Sequence, residues 1–373
     1  MKLLHLIDRE DVVGGVQTYL RSLVPGLESR GIESVVLSAA DVAGLLTDGA
    51  ELPAPARAEL DRLLTLHKPD ACLLHSPLFP GLASSIAERA PVLAYAHDYA
   101  MVCPGNARFL YTSRRFCEEG AGLRCFWRAY TERTTNRRPD RLLRAYSRVR
   151  GWREAWPSLA RVLVASPFVA ELLEADGAPP ERIRVVAYPV AAPADAEPER
   201  AGNVLFVGRV VAAKGVDVLL RAVAGLPDVT VAIAGDGPDR ARLEALAAEL
   251  GVEARFLGWV DDARRAALLR GCRVFAMPSL WEEPFGIAGV EALAAAVPVV
   301  ATRVGGIPSW LEDGRGGLLV ESDDSDALRA ALQRVLEEPG LAESLAAAGP
   351  AAAERFSLDA HLDRLIPELE AVA

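Results

Sequence analysis

The chain has no apolar run long enough to cross a bilayer. A spanning helix needs about 18 apolar residues, and the apolar start "LLHLI" is cut off by Asp8, Arg9 and Glu10. Nothing in that start reads as an export signal. Cysteine is scarce and odd in number, with Cys72, Cys103, Cys117, Cys125 and Cys272, so reduced thiols are expected rather than a disulfide framework. These absences lead to the expectation of a cytoplasmic protein. The chain also lacks positive charge, with a net charge of −10, which argues against general nucleic-acid binding. One stretch runs the other way: Arg124 to Glu154 holds ten arginines against Glu132, Asp140 and Glu154. The segment "AGDGPDRARL" has Gly235 and Gly237 but not the third glycine of a dinucleotide fingerprint, which weighs against a dehydrogenase. The only Asp-x-Asp, Asp324 to Asp326, opens a helix pattern, where aspartate caps; it does not read as a metal site.

What the chain does have is apolar residues, 51% of 373, enough for two domains with proper cores. Short apolar runs recur with helix patterns between them: "KLLHLI", "ESVVL", "ACLLH", "VLAYA", "RVLVA" and "IRVVA", then "NVLFV", "TVAIA", "ARFL", "RVFAM", "VPVVA" and "GLLV". Continuous Val, Leu and Ile over four to six residues suits parallel strands buried on both faces. The two series are separated by "YPVAAPADAEPERAG", which is rich in Pro and Ala and has no periodicity. The expected organisation is α/β: a doubly wound domain over 1–188 interrupted by a Cys- and Arg-rich insert at about 100–157, a linker at 189–202, a second doubly wound domain over 203–355, and a helix over 356–373. A cleft between the domains is the natural ligand site.

Two stretches place charge where the pattern is otherwise apolar. In "SLWEEPFGIAGVEALAAAVPVV", Glu283 stands just before Pro284, Phe285 and Gly286, with Glu291 eight positions on. Burying an unpaired carboxylate is expensive, so each needs something to receive it. The stretch follows a strand pattern and opens a helix at about Phe285 to Ile287, with Pro284 at the first-turn edge. Free backbone N–H groups at such a start attract an anion. Glu291 lies too deep to be a cap and is placed to accept hydroxyl hydrogen bonds from a ribose, while Glu283 sits at the mouth where a sugar would lie. The plainer alternative is a dipole-favoured acid at Glu283 and a solvent-facing Glu291. Upstream, "VLFVGRVVAAKGVDVLLRAV" puts Arg209 after a strand and Lys214 at the next helix start. Two cations converging there can hold a diphosphate through charge-assisted hydrogen bonds.

In order and spacing, the strand with its "GR", the lysine, "AGDGP", "FLGWV", "PSLWEEPFG" with Glu291, and "PVVATRVGGIPSWLEDGRGGLLV" resemble family 4 glycosyltransferases of the GT-B fold. That fold has two Rossmann-like domains facing a central cleft. The resemblance implies a retaining hexosyltransferase that takes a nucleoside diphosphate sugar as donor and a glycan, lipid-linked or metabolite acceptor. Arg209 and Lys214 would bind the donor phosphates beside Gly208. Glu283 would meet the sugar hydroxyls, Phe285, Gly286 and Ile287 would close on sugar and phosphate, and Glu291 would take the ribose. Leu257 to Val260 fall where the family binds the base, with Trp259 equally explicable as packing. Gly14 and Gly15, in "DVVGGVQTYL", match a glycine loop near the diphosphate. His97, in "VLAYAHDY", matches a histidine near the transferred sugar. The catalytic set implied is His97, Arg209, Lys214 and Glu283. The implied chemistry is same-face attack with the departing phosphate taking the acceptor proton, with no cofactor and no essential metal.

The chain also departs from the family pattern. Relatives with a comparable cysteine-rich insert end it in a further C-x2-C, but here Arg128 stands where the last cysteine would be, leaving Cys103, Cys117 and Cys125 without a fourth ligand for zinc. Arg303 and Ser309 stand where relatives often carry acids, which bears on donor choice. After the insert, Leu142, Tyr146, Val149, Trp152 and Trp156 recur at helical spacing among Arg141, Arg144, Arg148 and Arg150. Such a helix either contacts an anionic membrane at its inner face or packs on its own domain. Two other functions fit a GT-B fold, a sugar-nucleotide epimerase and an inactive nucleotide-sugar binding protein. No extra acid/base set favours the first, and the presence of Arg209, Lys214, Glu283 and Glu291 weighs against the second.

Overall fold

The computed structural model describes residues 1–7, 15–38, 52–75, 80–191 and 196–373. The chain divides into two units. The first comprises Met1–Ser113, Cys117–Pro189 and Leu358–Ala373, and the second comprises Arg114–Phe116 and Val190–Ser357.

In the first unit, β1 (Lys2–Ile7), α1 (Gly15–Ser29), β2 (Glu33–Ser38), α2 (Ala54–His67), β3 (Ala71–Leu74), α3 (Pro80–Ala87) and β4 (Val92–Ala96) lead into the insert. The insert carries two short strands, β5 (Phe109–Leu110) and β6 (Arg115–Phe116, which is counted with the second unit), then α4 (Arg124–Thr131) and α5 (Pro139–Ala155). The unit continues with β7 (Arg161–Val164), α6 (Pro167–Ala175) and β8 (Ile183–Val185). The strands form one sheet in the order β2-β1-β3-β4-β7-β8, all pairs parallel. Every residue of β3 and β4 is buried, as continuous apolar runs covered by helices on both faces require.

The helix α5 settles how its arginine-interleaved apolar face is used. Leu142, Val149, Trp152 and Trp156 are at most 2% exposed, so this face packs within its own unit and is not offered to a membrane. Arg148 is drawn in as well; its guanidinium donates to the Asn106 Oδ1 at 2.5 Å and to the Cys103 carbonyl at 3.3 Å. Alternating aromatics and arginines therefore mark a domain-packing helix here.

The second unit runs through β9 (Val204–Val207), α7 (Val216–Val223), β10 (Thr230–Ala234), α8 (Arg240–Glu249), β11 (Glu253–Gly258), α9 (Asp262–Gly271) and β12 (Val274–Met277). Then follow α10 (Ile287–Ala294), β13 (Val299–Thr302), β14 (Glu312–Asp313), β15 (Gly316–Val320), α11 (Ser325–Glu337) and α12 (Leu341–Ala353). Its sheet has the order β11-β10-β9-β12-β13-β15-β14, again parallel throughout. Asp324 caps α11, its Oδ1 accepting from the Asp326 and Ala327 amides at 3.0 and 2.8 Å.

The last helix, α13 (Leu358–Glu370), belongs to the first unit. Leu362, Leu365 and Leu369 are at most 1% exposed, each such burial contributing about 1.5–3 kcal/mol. Arg30 pairs with Asp359 and Asp363 at 2.8 and 3.0 Å, and Arg161 and Arg184 both grip Glu368, at 2.8 and 3.1 Å.

In each sheet the chain starts in the middle and winds outward both ways. The direction reverses between β1 and β3 in the first unit and between β9 and β12 in the second. Open parallel sheets bind ligands beyond the carboxyl ends of strands at such a reversal.

Candidate functional site

At the reversal of the second unit, β9 delivers Gly208 and Arg209, and a 3-10 turn over Ala212–Lys214 brings Lys214 back toward the end of β12. Lys214 therefore closes a short turn, and α7 begins two residues later, at Val216. The segment after β12 is tied to that turn, since the Leu280 and Trp281 amides both donate to the Ala213 carbonyl at 2.9 and 3.0 Å. The two strands thus hold their loops in register, and the charged side chains meet between them.

Glu283 is only 4% exposed. Its Oε1 accepts from the Lys214 ammonium at 2.5 Å and from the Ser279 hydroxyl at 2.5 Å, which is what allows a carboxylate to persist there. Lys214 also lies 5.0 Å from the centre of the Trp281 ring, a cation–π contact. A lysine ammonium has three donors, so the bond to Glu283 leaves two for another acceptor. Arg209 is exposed, and its guanidinium has no partner among the described residues.

The loop after Glu283 is fixed by backbone. The Gly306 amide donates to the Glu283 carbonyl at 2.7 Å, the Glu282 carboxylate accepts from the Gly305 amide, and a Cβ on Gly305 would overlap the Glu283 carbonyl oxygen. Gly305 thus serves a close approach. Gly286 is the N-cap of α10 at φ 92°, a left-handed conformation that favours glycine. The helix accordingly starts at Ile287, and Pro284 lies before it rather than in its first turn. Phe285 is buried, and its carbonyl accepts from the Trp310 indole at 2.5 Å. The first amides of α10, at Ile287 and Ala288, have no intrahelical partner and carry the positive end of the helix dipole.

Glu291 is held by Arg265, whose Nη2 donates to its Oε1 at 2.9 Å. Burial raises the Glu291 pKa, and the Arg265 charge and hydrogen bond oppose that rise. Arg265 also pairs with Asp262 at 3.1 Å. Ser279, Trp281 and Arg265 escaped the sequence reading; Arg265 is brought in by topology from 26 residues away, while Ser279 and Trp281 flank Glu283 locally without a pattern that marks their roles. Leu257 is the extra residue of a β-bulge: Ile233 faces Phe256 while Ala234 faces Gly258. Bulges re-aim side chains and gather beside functional sites. Val260 is buried, whereas Trp259 is 69% exposed, so packing does not account for its ring. Arg303 is exposed, with Glu321 at 3.6 Å, and Ser309 is turned back onto the Gly306 carbonyl at 2.5 Å.

At the reversal of the first unit, Gly14 lies outside the described residues, and Gly15 opens α1, exposed, with nothing near the place of a Cβ. His97 follows β4. Its Nδ1 lies 2.7 Å from the Tyr188 hydroxyl and its Nε2 lies 3.2 Å from His75 Nδ1, so both ring nitrogens are engaged within the unit. Burial pushes its pKa down to about 3, and the ring is neutral near pH 7.

In the insert, Arg128 Nη1 donates to Cys117 Sγ at 2.9 Å and Nη2 to Glu119 at 2.6 Å. A guanidinium thus supplies positive charge to the Cys117 sulfur. Among the described residues no group of three His, Cys, Asp or Glu side chains is placed to hold a metal.

Comparison with known proteins places this geometry. The family model for glycosyltransferase family 4 matches residues 13–191, and that for glycosyl transferases group 1 matches residues 192–352. A phosphatidyl-myo-inositol mannosyltransferase of Mycolicibacterium smegmatis is 32% identical over 341 residues, covering 89% of this chain and 83% of that protein. Among solved structures, Anabaena HepE in complex with UDP matches with a TM-score of 0.72 at 20% identity, covering 100% of both chains. The sucrose-phosphate synthase of Thermosynechococcus elongatus matches with a TM-score of 0.75 at 21% identity, again covering 100% of both. The structural likenesses identify the fold as GT-B, and the family matches with the mannosyltransferase likeness identify the chemistry as glycosyl transfer. The chain belongs to the family 4 glycosyltransferases.

Proposed function

We propose that the chain transfers a hexose, with retention of configuration, from a nucleoside diphosphate sugar to a hydroxyl of a lipid-linked, glycan or metabolite acceptor. The observation that carries this reading is the Lys214–Glu283 pair at the β9/β12 reversal, with Arg209, which has no side-chain partner among the described residues, shortly before Lys214 in the chain and the start of α10 shortly after Glu283. Two cations and a helix start are suited to a diphosphate, and fixed positive charge acts where negative charge develops as the leaving group departs. Lys214 turns its remaining donors to the phosphates while Glu283 holds it in place and offers Oε2 to a sugar hydroxyl. Glu291, steadied by Arg265, takes the ribose hydroxyls, and the bulge at Leu257 borders the base.

In this step the bond from the anomeric carbon to phosphate oxygen breaks, and the acceptor oxygen bonds that carbon on the same face. The acceptor proton goes to the departing diphosphate, so neither a metal nor a cofactor enters. His97, neutral and with both nitrogens engaged, orders its surroundings and is not the proton acceptor. The relatives' names, a phosphatidyl-myo-inositol mannosyltransferase and a D-inositol 3-phosphate glycosyltransferase, support a lipid or polyol acceptor. The neighbour structures with UDP and UDP-glucose support a sugar-nucleotide donor.

No helix among the described residues is long and apolar enough to cross a membrane. In this reading the cytoplasmic enzyme meets anionic lipid through α4, not α5. Leu123, Trp127 and Tyr130 recur on one face of α4 and are 82%, 73% and 52% exposed. Beside them in sequence Arg133, Arg137, Arg138, Arg141 and Arg144 are exposed. Exposed aromatics with a basic rim suit an anionic interface. Co-sedimentation with phosphatidylglycerol vesicles, reduced in Trp127→Ala, tests this; equal sedimentation of both proteins contradicts it.

The transfer itself is tested by incubating sugar nucleotides with inositol-type and glycan acceptors and reading the product anomer by NMR. A product of the donor's configuration supports the reading. An inverted product contradicts it, as does epimerised nucleotide formed without acceptor.

A further inference from the structure

Four of the five histidines of the chain, His5, His75, His97 and His361, gather in the first unit, and three of them form an unbroken chain of side-chain contacts. From one end, the Ser34 hydroxyl lies 3.3 Å from His5 Nε2, His5 Nδ1 lies 3.0 Å from His75 Nε2, and His75 Nδ1 lies 3.2 Å from His97 Nε2. At the other end, His97 Nδ1 lies 2.7 Å from the Tyr188 hydroxyl. His5 and His75 are at most 1% exposed. The Tyr19 ring closes one side edge-on, with centroids 5.7 Å from His75, 5.5 Å from His97 and 5.7 Å from Tyr188.

Burial keeps these rings neutral, with His5 lowered to about 4, His97 to about 3 and His75 well below its ordinary value. A neutral imidazole has one N–H donor and one bare acceptor nitrogen. Two linked rings of opposite tautomer would set two hydrogens, or two lone pairs, against each other, leaving buried groups unsatisfied at about 1–3 kcal/mol each. The three rings must therefore share one tautomer. The serine and tyrosine hydroxyls at the two ends can each donate or accept, so either shared tautomer can be accommodated.

We propose that His5 and His75 are positioning residues that dictate, through this coupled chain, which nitrogen of His97 carries the proton and hence whether Tyr188 donates to His97 or accepts from it. In one sense all three rings are Nε2–H and Tyr188 donates to His97. In the other all three are Nδ1–H, His97 donates to Tyr188, and the tyrosine proton is released to another acceptor. A change at Ser34, on the strand β2, is thereby felt at His97. The coupling stands on hydrogen-bond geometry, while its value to catalysis rests on the reading of His97 as a residue near the transferred sugar.

The test is nitrogen-15 NMR of the full-length protein labelled at histidine, which distinguishes protonated from bare ring nitrogens. His361 is the internal control: its Nδ1 faces the Ala187 carbonyl at 2.7 Å and its Nε2 faces the Tyr19 hydroxyl at 2.9 Å, so it must be Nδ1–H whenever the unit is folded. The wild-type protein should show one shared tautomer for His5, His75 and His97, and mixed tautomers overturn the proposal. Ser34→Asp offers only an acceptor and should hold all three as Nε2–H, whereas Ser34→Lys offers only donors and should hold all three as Nδ1–H. His97 should thus differ between the two variants. If His5 changes and His97 does not, the proposal fails. Because the spectra need no donor or acceptor, this failure is distinct from an absence of transferase activity.

Discussion

The two sheets share one winding plan, yet the groups at their reversal points are chemically opposite. In the second unit, Arg209, Lys214, Glu283, Arg265 and Glu291 bring charge to the ends of β9 and β12, each buried carboxylate held by a cation. In the first unit, the corresponding place holds neutral imidazoles and phenols linked ring to ring. The difference teaches that the fold supplies the place and the side chains supply the chemistry. A charged end can hold a diphosphate and stabilise its departure, while a neutral end orders hydrogen bonds.

The comparison can be broken at several points. The largest effect should follow Lys214→Ala, which removes the proposed phosphate contact and takes the cation from Glu283. Transfer should fall about a hundredfold or more, as when one group that stabilises developing negative charge is removed, and initial rates check it. Next, Arg265→Met takes the counter-charge from Glu291, whose pKa should then rise further. Nucleotide affinity should weaken about tenfold and become dependent on pH, readable by calorimetry at pH 6 and 8. Glu291→Ala should likewise weaken nucleotide binding, whereas Glu283→Gln should chiefly slow transfer; equal effects on both quantities would undo that division.

The neutral end should show itself through pH. An unfolded histidine takes up a proton near 6.5, whereas folded His5 and His361 resist protonation down to about 4 and His97 down to about 3. The unfolded state therefore binds more protons below pH 6.5. The stability these groups contribute is complete above that value and is lost progressively as pH falls toward 4 and 3. The Tm should decline between pH 7 and pH 5, where most carboxylates remain ionised, and a flat Tm over that window would contradict the neutral cluster. The smallest effect is expected from Trp127→Ala, which should leave the Tm within about 2 °C because its exposed ring contributes little to the fold.

Much of the architecture was legible in the sequence. Runs such as "VLAYA" and "VLFV" are too short for buried helices and too apolar for an exposed face, and these became buried parallel strands, whereas "ESVVL" and "ARFL" became half-buried edge strands. That Glu283 and Glu291 need partners was legible because a carboxylate within an apolar pattern requires a receiver, and Lys214 and Arg265 receive them. Arg265 itself was not legible, since a side chain's partner 26 residues away depends on which elements lie side by side, and Ser279, only four residues from Glu283, is one of many small polar residues at a strand end. Lysine scarcity was an unused signal: Lys214 is one of only three lysines in the chain. The histidine chain left no local pattern, because His5, His75 and His97 stand near the ends of three strands that only the sheet order makes neighbours. The face of α5 was ambiguous in sequence because aromatics alternating with arginines suit a bilayer and a domain core alike.

The central claim is that the charged reversal of the second unit binds the donor's diphosphate. Calorimetric titration of the wild-type protein and of Lys214→Ala with UDP, GDP and ADP tests it most directly. At least one nucleotide should bind the wild type, and this binding should be lost in Lys214→Ala while the folded far-UV spectrum is kept. Undiminished binding to a folded Lys214→Ala protein would contradict it.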